Sequence, residues 1–168
     1  MKKLFALMLA LCLMLGASAM ADDLVWEGDV EAAANAKYEG QFVTFDEIAV
    51  KVWMPVDFQA VELSDDDKAS GYIGYFAKGE EGAFAIVYID AEGMTLDEYQ
   101  AKLSEDAEVS DLEPGTVNGL PCLTYKSNGT GSMAFATQMG YILEISYGPI
   151  GDETPEVVAL VFASIQAK

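Results

Sequence analysis

The chain has 168 residues, 28 of them acidic and nine basic, for a formal net charge of −19. All of the bases are lysine, and neither arginine nor histidine occurs. That composition excludes a guanidinium fork for phosphate, an imidazole base and a histidine-ligated zinc, and the charge repels the phosphate backbone of nucleic acids.

Met1–Ala21 joins two lysines to a Leu/Met/Ala run and closes on Ala19-Met20-Ala21, the three parts of a secretory signal peptide. Cleavage there leaves Asp22–Lys168, 147 residues with seven lysines and all 28 acids, a charge of −21. No apolar run near about 18 residues remains, so no membrane span is expected after processing. Cys122 is then the only thiol, and no internal disulfide can form. Leu9-Ala10-Leu11-Cys12 is a loose lipobox in which bulky Leu11 fits poorly. Asn128-Gly129-Thr130 is a sequon that matters only in a glycosylating host.

Residues 22–40 read as a lead-in with a short helical stretch over Val30–Ala36. Period-two alternation then predicts a hairpin of strands 41–45 and 48–54 around Asp46-Glu47, ended by Pro55. Phe58–Leu63 is a candidate third strand, followed by an acidic loop of Glu62 and Asp65-Asp66-Asp67. Gly71–Ala77 and Ala83–Asp90 form a hairpin across the glycine-bearing Lys78–Gly82. Thr95-Leu96-Asp97-Glu98 is a capping box, and Leu96, Tyr99 and Leu103 extend it into an amphipathic helix over 96–104.

Asn118-Gly119, Asn128-Gly129 and Met139-Gly140 are hairpin signals that cut the next stretch into strands near 113–117, 120–127, 131–138 and 141–148. In the last, Tyr141, Leu143, Ile145 and Tyr147 share one face, with Glu144, Ser146 and Ile142 on the other. Thr154 is read as the N-cap and Pro155 as the first residue of a closing helix, whose Val158, Val161, Phe162 and Ile165 face the sheet. The expected architecture is a single α+β domain over 41–168, an antiparallel sheet flanked by helices. Its candidate core is Trp53, Phe76, Phe84, Ile86, Val87, Leu123, Phe135 and Leu143.

Four segments together resemble the PsbP-like domains. They are the strand Ile48-Ala49-Val50-Lys51-Val52-Trp53-Met54-Pro55, ending in Trp-x-Pro, and the capped helix Thr95-Leu96-Asp97-Glu98-Tyr99. The others are the turn Val117-Asn118-Gly119-Leu120 leading to Tyr125, and the terminal helix closing on Ala163-Ser164-Ile165. The resemblance spans about residues 41–167. It implies an antiparallel sheet flanked by helices, in small secreted or lumenal domains that act mostly as non-enzymatic accessory, assembly or binding proteins. It carries over no functional residue, and a shared fold does not transfer function.

The acidic run Glu62–Asp67 offers oxygens for calcium but lacks the D-x-[DN]-x-[DN]-G spacing, so it reads as a solvated face. Glu105, Asp106, Glu108, Asp111 and Glu113 read the same way. A basic partner is the natural complement of such a surface. Glycoside hydrolysis needs two carboxylates about 5–10 Å apart in a cleft, and Glu144, alone among apolar neighbours, is the acid to inspect first. Cys122, without a histidine to ionise it, reads as a small buried hydrophobe.

Most of the sheet's aromatic rings are expected in the core; a row of tyrosines, where exposed, would offer a flat platform for a sugar or peptide, and the candidate ligand surface is Tyr72, Tyr75, Tyr88, Tyr141 and Tyr147, with Glu144. The leading expectation is a secreted, non-enzymatic binding or accessory protein of the bacterial envelope or exterior, monomeric and without metal or cofactor. Its ligand would be a protein or a small molecule. The alternatives are a carboxylate-dependent hydrolase of an extracellular polymer and a calcium-dependent adhesion module.

Overall fold

Two antiparallel sheets of unequal size enclose a helix. The computed structural model describes residues 26–137, 140–152 and 154–168; the segment read as a signal peptide, 1–21, and Cys12 within it lie outside the described residues. The elements are α1 (Gly28–Tyr38), β1 (Gly40–Thr44), β2 (Val50–Pro55), β3 (Gln59–Ala60), α2 (Asp65–Ala69), β4 (Tyr72–Ala77), β5 (Ala83–Asp90) and α3 (Leu96–Ser104). There follow β6 (Val109–Val117), β7 (Leu120–Ser127), β8 (Thr130–Ala136), β9 (Tyr141–Gly148), α4 (Glu156–Ala163) and β10 (Gln166–Ala167). The larger sheet runs β3-β4-β5-β9-β8-β7-β6 and the smaller β1-β2-β10.

Turn chemistry places most of the larger sheet. Asn118 and Asn128 adopt φ of 49°, and the glycine after each is also left-handed, as a two-residue hairpin turn requires. β6 begins earlier than expected, because a register shift between Ser110 and Glu113 with Asp111 at φ 53° lets the strand resume. That irregularity and exposed Pro114 blunt the free edge of the sheet.

The inner face of the larger sheet carries Phe84, Ile86, Met133, Leu143, Ile145 and Tyr147, each at most 1% exposed. α4 lies on this face with the smaller sheet over it, so every residue from Val157 to Ala163 is buried. The expectation of a one-sided amphipathic helix is corrected here: a second sheet covers the far side, and a helix apolar all round is buried all round. Its start also moves. Pro155 is the N-cap position without a side-chain cap, while Thr154 Oγ1 accepts from Gly151 N and donates to Gly151 O, both at 2.7 Å.

Three of the four segments that carried the resemblance interlock around this helix. Trp53 N donates to Ser164 Oγ at 2.8 Å, and Trp53 Nε1 to Asn35 Oδ1 at 2.9 Å. Asn118 Nδ2 donates to Ala163 O and Ile165 O at 2.8 and 2.6 Å, and its Oδ1 accepts from Trp26 N at 2.5 Å. Gly40 is required where β1 crosses the Trp53 ring, since a Cβ there would meet Cζ2 at 2.2 Å.

The outer face has its own small cluster. Leu123, Tyr125, Ala134 and Ile142 pack under α3 through Tyr99, Leu96 and Leu103. The Thr95 capping box is present as expected, with Glu98 N donating to Thr95 Oγ1 and Thr95 N to Glu98 Oε2. The acidic loop is corrected to a helix: Ser64 and Asp67 form a second capping box that starts α2, the same S-x-x-D signal in a more polar setting. The third strand shrinks to Gln59–Ala60. Val87 leaves the candidate core for the outer face and is half-buried, as is Phe76.

Candidate functional site

Cross-strand register writes the outer face as two parallel rows. One runs Tyr72, Val87, Glu144, Ala134, Leu123, and the next Tyr75, Ala85, Ser146, Ser132, Tyr125. α3 covers the β6–β7 end, leaving the half-buried residues of β4, β5 and β9 at the other. Tyr72 and Tyr75 stand three apart in sequence, a spacing that an unbroken strand sends to opposite faces. A bulge between Tyr72 and Gly74 absorbs the extra residue, so the two rings take neighbouring positions opposite Val87 and Ala85. Gly74 turns inward instead, where a Cβ would meet Phe45 at 2.9 Å.

Glu144 sits mid-face. Its Oε2 accepts from Tyr125 Oη at 2.5 Å and Tyr99 Oη at 3.4 Å, and its Oε1 from Ser132 Oγ at 3.2 Å. Burial, and then the Glu144 charge, push both phenols above their ordinary range, Tyr125 far more than Tyr99. Three hydroxyls therefore stabilise one carboxylate and tie α3 to the sheet. Among the described residues the hydrogen-bond partners of the Glu144 carboxylate are these three hydroxyls. Among the described residues no three of His, Cys, Asp and Glu are grouped to hold a metal ion.

The other predicted rings lie elsewhere. Tyr147 is core, 1% exposed, its ring 4.8 Å from that of Phe84, and is not an exposed ring. Tyr88 and Tyr141 point to the inner side of the large sheet and stack at 4.6 Å with 17° between planes. Tyr88 Oη lies 3.4 Å from Thr137 Oγ1. Beside Tyr88 a cleft of about 400 Å³ enters between the two sheets, lined by Ile48, Val50, Leu120, Phe135, Leu143 and Ile165, with Glu47 and Thr137 also among its walls. The sequence named Tyr88, one of its walls, but not the cleft, whose lining comes from both sheets.

In a larger depression of about 630 Å³ by the Asn128 turn, several of the charged and amide groups already have partners. Lys126 pairs with Asp111 at 2.8 Å, Asn128 Nδ2 donates to Glu108, and Glu156 is held by Lys37. Cys122 is 1% exposed with its thiol pushed up to about 12 by burial, and supplies no nucleophile.

The sheet order, the flanking helices and the helix enclosed at the end of the chain define a PsbP-like α+β fold. The chain is similar to the solution structure of cyanobacterial PsbP (CyanoP) from Synechocystis sp. PCC 6803, with a TM-score of 0.53 and 11% identity over 77% of this chain and 92% of that one. A crystal structure from Bacteroides thetaiotaomicron VPI-5482 aligns over 71% of this chain and 45% of its own, with 18% identity and a TM-score of 0.45. No protein-family model and no curated protein matches the sequence.

Proposed function

We propose that this chain is a non-enzymatic binding module of the bacterial envelope or exterior, holding a small apolar molecule in the cleft beside Tyr88. The cleft carries the reading. Its volume of about 400 Å³ falls within the roughly 300–1,000 Å³ of small-molecule sites, which combine apolar walls with a few polar groups. None of its lining residues is basic and Glu47 is among them, which favours a neutral or cationic ligand over a fatty acid. Tyr88, on which Tyr141 stacks, gives the cleft an aromatic wall, and Thr137 a hydroxyl for one polar group. The non-enzymatic part rests on the missing histidine and arginine and on the engagement of Glu144 by hydroxyls alone. The extracellular location rests on the signal-like segment Met1–Ala21.

Titration with the neutral fluorophore N-phenyl-1-naphthylamine tests this. The expected result is a saturable rise in emission at one site per chain. Leu120→Trp, which fills the cleft from a half-buried position, should abolish it without lowering the melting temperature. Absent saturation, or unchanged binding in Leu120→Trp, would overturn the reading.

A further inference from the structure

We infer that the bulge-paired Tyr72 and Tyr75, with the α2 approach beside them, form a docking site for a lysine or arginine side chain of a basic partner protein. The groove there has a volume of about 250 Å³ and is lined by Val61, Glu62, Leu63, Asp67, Tyr72 and Tyr75. It is smaller than the roughly 300 Å³ at which small-molecule pockets begin, so it suits one long side chain rather than a whole ligand. Two ring faces attract a cation through their quadrupoles. The alkyl stem of lysine or arginine has Val61, which is 46% exposed, and Leu63 to lie along.

Charge complementarity selects the occupant. Glu62 and Asp67 are the charged groups of the groove, and no lysine lines it. Asp67 uses Oδ2 on the α2 cap, where the Ser64 hydroxyl and amide hold its carboxyl below the usual range, so it stays ionised. Glu144 adds a carboxylate in the row of Tyr72, two strands away, at about 10 Å by strand spacing. The bulge brings the rings to the same side as these acids; without it one tyrosine would point into the core side of the sheet. This site is separate from the cleft, which opens on the opposite face.

The test is fluorescence anisotropy with a labelled decapeptide of alternating lysine and alanine, at about 0.15 M salt so that long-range attraction is screened. Tyr72→Leu/Tyr75→Leu changes no charge and should weaken binding roughly ten-fold, about three-fold per ring, whereas Tyr72→Phe/Tyr75→Phe should bind like the parent. Glu62→Gln should weaken binding about three-fold and the remote, exposed Glu105→Gln less than two-fold. Equal losses from Glu62→Gln and Glu105→Gln would show attraction to the overall charge and overturn the site. Unchanged binding in the leucine pair, or no binding by the parent, would also overturn it. Should the leucine pair fail to fold, the two glutamine variants still decide.

Discussion

Two asparagine–glycine turns of identical backbone conformation make a controlled experiment within one chain. Asn118 and Asn128 both sit at φ 49°, so replacing either with glycine relieves the same left-handed strain. Their side chains differ. That of Asn118 makes three partly buried hydrogen bonds, to Trp26 N, Ala163 O and Ile165 O, and so fastens the N-terminal segment and the end of α4 to one hairpin. That of Asn128 makes one exposed bond, to Glu108. At about 1 kcal/mol net per bond, Asn118→Gly loses roughly 3 kcal/mol and regains a few tenths from the backbone. Asn128→Gly should fall within about 0.5 kcal/mol of the parent.

Urea unfolding followed by tryptophan fluorescence reads the difference directly, since Trp26 and Trp53 have ring centroids 5.8 Å apart beside this latch. The expected midpoint for Asn118→Gly is about 1 M lower than for Asn128→Gly at an unchanged slope, or about 5–10 °C lower in melting temperature. Equal midpoints for the two variants would refute the latch, because the backbone contribution cancels between them and only the side-chain bonds remain.

Two further outcomes follow from the charges. Glu98 has its carboxyl held below 4.5 by the amide and then the hydroxyl of Thr95. A lowered folded-state value means that the cap adds stability above the ordinary carboxylate range and loses it as pH falls through the lowered value; the melting temperature of Glu98→Gln should therefore fall less steeply than that of the parent between about pH 5 and pH 2. The second concerns salt: with 28 acids against nine lysines, the acids far outnumber the cations that could pair with them. Calorimetry should show the melting temperature rising from about 0.01 to 0.5 M sodium chloride as the Debye length shrinks; a flat profile would mean that the acids are too well spread to matter.

What local chemistry determines was legible. The Asn-Gly turns, the Thr95 box and the alternation of Tyr141, Leu143, Ile145 and Tyr147 each rest on a few adjacent residues, and the structure has them. Two misreadings had signals in plain view. Val157–Ala163 is apolar without interruption, the mark of a helix enclosed on all sides, and Ser64-Asp65-Asp66-Asp67 carries the same box as Thr95. Other features had no local signal. The pairing of β5 with β9 and of two-residue β10 with β2 joins distant stretches, and such pairings are chosen by the whole core rather than by either strand.

The candidate sites belong to this second kind. A period-two reading separates Tyr72 from Tyr75 and unites neither with Glu62; one extra residue in β4 reverses that, and nothing in Tyr72-Ile73-Gly74-Tyr75 announces it beyond the glycine that the core needs at Gly74. The cleft likewise joins distant stretches, with walls drawn from β2, β5, β7, β8 and β9 and from the chain end. The face-splitting of the tyrosines sharpens the functional reading. Tyr147 serves the core, Tyr88 lines an apolar cleft with Tyr141 stacked on it, and Tyr72 and Tyr75 meet carboxylates on the opposite side. An apolar molecule and a basic side chain therefore have separate entrances, and the paired variants Leu120→Trp and Glu62→Gln should each abolish or weaken one binding event while leaving the other intact.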